Sequence, residues 1–150
     1  ADLARAAGAD HVVNYRDADA ADQITAVAPD GVDSVVEVAI ASNLELDAAV
    51  IRPRGTIASY ANNGGDSVEL AIRPHMVQNS RLQFILIYTV GAEALAAAVE
   101  DVTAAAGAGV LAVGEEHGLP LHRFPLDEAA DAHRAVESDA VGKVLIDVSE

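Results

Sequence analysis

Gly31-Val32-Asp33-Ser34-Val35-Val36-Glu37-Val38 opens on a turn residue and then runs through mostly β-branched side chains. A half-exposed strand alternates apolar and polar residues, whereas a strand covered on both faces of a parallel sheet reads as a nearly continuous apolar run. Only Asp33, Ser34 and Glu37 interrupt this one, so the covered strand is the reading. Pro29-Asp30-Gly31 supplies the turn before it. Upstream, Asp19 to Val27 places apolar residues at helical spacing. Downstream, Ser42 or Asn43 is expected to cap a helix reaching about Ile51, with Glu45 in its first turn. Pro53-Arg54-Gly55 ends that helix and turns the chain into a strand from Thr56 to Tyr60.

The flanks repeat the pattern. Asp2 to Ala7 reads as the end of a helix stopped by Gly8, and His11-Val12-Val13-Asn14-Tyr15 as a short strand. Asn62-Asn63-Gly64-Gly65-Asp66 is a loop, Pro74 to Asn79 a short helix, and Leu82 to Thr89 a long strand. An alanine-rich helix follows from Glu93 to Ala106, ended by Gly107. After a polar loop with His117, Gly118 and Pro120 come a helix from Leu126 to Glu137 and a last strand from Lys143 to Val148. Strands alternating with helices through short loops predict an α/β fold with a parallel sheet.

Composition narrows the function. The 150 residues make about one domain, and 51% hydrophobic content is enough for a core. The net charge of −15 argues against nucleic acid, because phosphate contacts need clustered Lys and Arg. With 3% aromatics, a base-stacking platform is not expected either. The apolar run from Leu82 to Val90 is far shorter than the roughly 20 residues that span a bilayer, so no membrane segment is expected. Ala1 to Asp10 has no basic stretch leading into an apolar one, and a cytoplasmic setting is the expectation. Without cysteine there is no disulfide, thiolate nucleophile or thiolate-bound zinc. The histidines form no His-x-x-x-His pair, so no metal site is expected, and Ser59 and Ser80 lack a nucleophile elbow.

Ala6-Ala7-Gly8-Ala9-Asp10-His11-Val12-Val13-Asn14-Tyr15-Arg16 resembles the segment after the second Rossmann strand in quinone oxidoreductases of the medium-chain dehydrogenase/reductase superfamily. The run from Gly31 to Val38 is similar to the fourth strand of that domain, and Pro53-Arg54-Gly55-Thr56-Ile57-Ala58 to the turn into its fifth. His122-Arg123-Phe124-Pro125-Leu126 and Ala132-His133-Arg134-Ala135-Val136-Glu137-Ser138 resemble the family's C-terminal helix, and Gly142-Lys143-Val144-Leu145-Ile146 its last strand. The resemblance, to zinc-independent, zeta-crystallin-like quinone oxidoreductases, covers essentially the whole chain. It implies a partial Rossmann-type doubly wound sheet, strands 3 to 6, over residues 1–115, and a C-terminal helix and strand returning to the catalytic domain over 116–150. The chain would then be the C-terminal part, about half, of an enzyme. No G-x-G-x-x-G occurs, since Gly64-Gly65 lies in a loop without the strand–turn–helix context that cradles a pyrophosphate.

The same resemblance implies an NADPH site. Tyr15 would stand near the adenosine ribose and its 2′-phosphate, where a phenol can donate a hydrogen bond, with Arg16 as a phosphate contact or a solvated neighbour. Asn43 matches a cofactor-contacting position just past the fourth strand, and it also suits a helix cap. Tyr60, Ala61, Asn62 and Asn63 fall on the cleft loop after the fifth strand; Ala61 replaces the family's usual glycine. Ile85, Leu86 and Ile87 match the sixth-strand segment whose backbone meets the nicotinamide carboxamide, their side chains being expected in the core. Lys143 reads as structural or solvated. No catalytic acid or base is assignable. The expected activity is hydride transfer to a quinone or other conjugated carbonyl, with the chain inactive alone. The alternatives are an enoyl or alkenal reductase, or a non-catalytic nucleotide-binding or dimerisation module. A homodimer is expected through the edge strand from Leu82 to Thr89, which lacks the Pro or Lys that blunts an edge.

Overall fold

The β-branched run forms the strand β1 (Val32–Glu37), and it lies in a parallel sheet. The structure is a computed structural model that describes residues 1–111 and 114–148. In chain order the elements are α1 (Asp2–Ala6), α2 (Ala20–Val27), β1, α3 (Ile40–Val50), β2 (Ile51–Ser59) and α4 (Ile72–Gln78). They continue with β3 (Arg81–Phe84), α5 (Ala92–Gly107), β4 (Leu121–Pro125), α6 (Ala129–Glu137) and β5 (Lys143–Asp147). One-turn 3₁₀ helices stand at Ile87–Thr89, Glu115–His117 and Leu126–Glu128. The class is α/β with parallel sheets, as the sequence predicts. The chain packs as two compact units, Val13–Glu100 and Ala1–Val12 with Asp101–Glu150.

In the unit Val13–Glu100 the strand order is β1-β2-β3, parallel throughout. Parallel neighbours need a crossover, and α3 supplies it between β1 and β2. The helix turns Ile40, Leu44, Asp47 and Val50 inward, the three-to-four-residue spacing of one helical face. Ile40 and Leu44 join Ile51 and Ile57 of β2 in the core, with Val32, Val35 and Leu82 packed against them. Ile57, in the middle strand, is fully buried; such a side chain contributes about 1.5–3 kcal/mol by leaving water. The first turn of β2 is irregular: Arg54 has φ 67, and the pairing with β1 shifts between Val32 and Ser34.

Several expectations fail here. Residues 11–14 form no strand, and Tyr15 and Arg16 lie in a turn. A strand exists through its ladder, and none of the described strands lies alongside this segment, so the expected third strand is missing and the sheet holds only the counterparts of the fourth to sixth. The helix α3 begins at Ile40 behind Ala39, so Ser42 and Asn43 lie inside it and cap nothing; no side chain caps this end. β2 starts at Ile51, earlier than the expected Thr56, and Pro53-Arg54-Gly55 belongs to it. Residues 82–89 are not one strand: β3 stops at Phe84, where its register with β2 ends opposite Ser59, and the chain tightens into the 3₁₀ turn. Gly107 is the last residue of α5 rather than a stop outside it.

In the other unit, β4 and β5 pair in parallel from Leu121↔Lys143 to Pro125↔Asp147. α6 links them and buries Ala132. β4 was not foreseen, because Leu121-His122-Arg123-Phe124-Pro125 has neither clean alternation nor an apolar run. Gly142, just before β5, has φ +113, and a Cβ there would meet the Pro120 carbonyl oxygen at 2.2 Å, so only glycine fits the approach.

Candidate functional site

Because β1, β2 and β3 run parallel, all three end at one edge, and open α/β sheets bind ligands outside such carboxyl ends. The loops beyond the strands are stitched together through main-chain groups. Tyr60 N–H donates to the Glu37 carbonyl at 3.1 Å, Asn63 N–H to the Val38 carbonyl at 2.9 Å, and Ile85 N–H to the Ser59 carbonyl at 2.8 Å. Ala39 and Asn62 form an antiparallel bridge. α3 starts from the same edge, with Ser42 N–H donating to the Ala39 carbonyl at 2.8 Å. The loop after β2 therefore lies over the start of α3, and the segment after β3 is tied to the end of β2.

A carboxylate organises this edge. Glu37, the last residue of β1, is 5% exposed. Its Oε1 accepts the N–H groups of Val38 at 2.7 Å and Ala39 at 2.5 Å. The Asn43 Nδ2 donates to Oε1 at 3.2 Å and Oε2 at 3.3 Å. Behind Glu37, Asp47 of α3 is equally buried. Burial first, then the Glu37 charge and a hydrogen bond to Glu37, raise its carboxyl to about 7. Neither acid was anticipated as part of the site. The available signals were Glu37 breaking an apolar run at its end, and Asp47 falling on the apolar stripe of a helix.

Of the expected site residues, Tyr60, Ala61, Asn62, Asn63 and Ile85, Leu86, Ile87 come together at the edge. Tyr60 is exposed, the Ala61 carbonyl accepts the Ser59 hydroxyl at 3.1 Å, and Asn62 Nδ2 donates to Asp66 at 2.5 Å. Ile85 is half-buried, but Leu86 and Ile87 are exposed, against the expectation of core side chains, because the sheet ends before them. Asn43 faces Glu37 and holds it. Tyr15 sits on no strand end: it is 56% exposed, its hydroxyl accepts the Arg16 Nε–H at 3.2 Å, and the Arg16 guanidinium stands 5.4 Å from its ring. Lys143 is exposed at the start of β5.

A model of the zinc-binding dehydrogenase family matches residues 7–146. The chain belongs to this family. No curated protein matches it. Among solved structures, it is similar to an NAD-dependent alcohol dehydrogenase, with 22% identity, TM-score 0.75 and coverage of 99% of this chain and 40% of that one. A quinone oxidoreductase of Pseudomonas syringae pv. Tomato DC3000 gives 17%, 0.74, 95% and 44%. A mycobacterial protein complexed with NADPH gives 24%, 0.75, 97% and 45%. The fold is thus that of a part of these structures, α/β with parallel sheets, and the chain spans less than half their length. The zinc in the family's name finds no fit. The chain has no cysteine, and no group of three or more His, Asp or Glu side chains among the described residues is placed to hold a metal ion.

Proposed function

We propose that the chain is the cofactor-binding part of an NADPH-dependent, zinc-independent oxidoreductase, most like a zeta-crystallin-type quinone reductase. One observation carries the reading: loops 60–63 and 85–87 meet at the carboxyl edge of a parallel sheet, joined through the Ile85–Ser59 hydrogen bond. The similarity to a quinone oxidoreductase and to an NADPH complex supports it. Bound there, NADPH supplies a hydride for a conjugated carbonyl. The chain's own part is to hold and orient: Tyr60, Asn62 and Asn63 offer polar groups on one side, and the backbone of 85–87 lies on the other. Asn43 acts through Glu37, shaping the turn beneath the cofactor. Tyr15 and Arg16 together make a cationic, hydrogen-bonding spot suited to a 2′-phosphate, which favours NADPH over NADH. Residues 1–115 belong to the dinucleotide domain and 116–150 to a C-terminal return, in a cytoplasmic homodimer paired along 82–89.

Amide chemical shifts during NADPH titration test this. The largest changes are expected at 60–63 and 85–87, at millimolar cofactor, because the glycine-rich pyrophosphate turn is not in the sequence. Shifts confined to other segments, or none, would refute the edge as the site. For an enzyme containing this chain, equal kcat/KM with NADPH and NADH would remove the role of Tyr15 and Arg16.

A further inference from the structure

Asp47 occupies the inward face of α3 between Leu44 and Val50. Its Oδ2 is buried and has no hydrogen-bond partner. An ionised carboxyl in such a place is costly unless a donor meets it. What faces it is a second carboxyl, Glu37, equally buried and close enough to share a hydrogen bond. Glu37 already accepts donors from Val38, Ala39 and Asn43. A second charge beside that carboxyl would be costly, so Asp47 holds its proton.

We propose that Glu37 and Asp47 share one proton, resident on Asp47, and that this proton locks the turn through Val38 and Ala39 to Asn43 onto α3. The proton gives Asp47 a donor for the Glu37 carboxyl, which keeps its main-chain and amide donors. α3 packs on α2, β1 and β2. Their ionisable groups are Asp22 on α2, Asp33 and Glu37 on β1, and Arg52 and Arg54 on β2; α3 itself adds Glu45. Arg52 is taken by Asp33 at 2.5 Å, and of all these charges only Glu37 acts on Asp47. Among these described groups no cation acts on Asp47. When Asp47 releases its proton to solvent, two buried carboxylates face each other and the turn loosens. The folded value lies above the ordinary 3.8. The pair's stabilisation is therefore complete under acid conditions and is lost as pH rises through about 7. The proposal is independent of which cofactor the edge takes.

Carboxyl carbon resonances and thermal unfolding of the whole chain test it, with Asp47→Asn as the comparison. One carboxyl titrating near neutrality is expected, absent from Asp47→Asn, with the Asn43 side-chain amide moving at the same midpoint. The midpoint temperature of the wild type should fall between about pH 5 and about pH 8, and that fall should vanish in the variant. If every wild-type carboxyl ionises in the ordinary acidic range, the shared proton does not exist. If Asp47→Asn keeps the full slope, the proton lies elsewhere. Should the variant fail to fold, the wild-type carboxyl titration and its coupling to Asn43 decide the matter.

Discussion

Gly64 lies against Ser42 so closely that a Cβ at position 64 would stand 2.6 Å from the Ser42 hydroxyl oxygen, and 2.9 Å from the Ala39 carbonyl. One contact is a side chain that can rotate, the other is backbone that cannot. Gly64→Ala is therefore expected to destabilise the unit by about 1–3 kcal/mol, as overpacking does. Adding Ser42→Gly should restore only part of that loss, because the Ala39 carbonyl remains. Denaturant unfolding measures both; a Gly64→Ala variant as stable as the wild type would show that the loop does not sit on α3.

Asn43 gives Glu37 a side-chain amide donor to both carboxyl oxygens. Asn43→Ala should cost about 1 kcal/mol, the usual worth of such a hydrogen bond. Asn43→Asp should cost more, because it places a further carboxyl beside Glu37. The neighbouring charge raises the pKa of the introduced group, so its extra cost shrinks as pH falls. A pH-independent gap between the two variants would count against this geometry.

Ile57 and Val36 read alike in sequence, each a β-branched residue in a strand. Ile57 is 0% exposed and Val36 74% exposed. Ile57→Ala should therefore lose about 2–5 kcal/mol, with cavity and transfer costs combined, while Val36→Thr stays within about 0.5 kcal/mol. Comparable losses would invalidate the sheet order.

The proposed homodimer rests on β3 being an outer strand that exposes Phe84 at its end and Leu86, Ile87 and Tyr88 just beyond it. Ile85→Lys should convert it to monomer or to insoluble material. Light scattering that finds the unmutated chain monomeric at about tens of micromolar would end the idea, since a stable interface persists well below that concentration.

β1, α3 and the main part of β2 are legible as elements, although β1 is not covered on both faces as its apolar run predicts, since Val36 is 74% exposed. The strand errors share one cause: ladder partners are not written in local sequence. His11 to Tyr15 reads as a strand through its paired valines, yet none of the described strands lies beside it. Leu82 to Thr89 is apolar and β-rich throughout, but β2 ends at Ser59, so Phe84 is the last residue with a strand to pair with. The opposite error is β4, whose mixed polarity hides a strand that β5 stabilises. At the candidate edge, Asn62 and Asn63 lie in the loop after β2 that the sequence predicts, whereas 85–87 lie beyond β3 and not in a strand, and neither Glu37 nor Asp47 is recognisable from sequence. A buried acid is a matter of three-dimensional company: only the fold brings the Val38 and Ala39 amides and the Asn43 side chain onto Glu37.

The core cluster of Ile40, Leu44, Ile51 and Ile57 is drawn from one continuous stretch of chain, the crossover from α3 into β2. Contacts between residues near in sequence close small loops and cost little chain entropy, so they form early. Residues 32–59 should therefore be the nucleus of folding in their unit, with the β3 pairing added afterward. Native-state hydrogen exchange should follow the same order, slowest at the β1–β2 ladder and faster at Leu82, whose partners must already be in place.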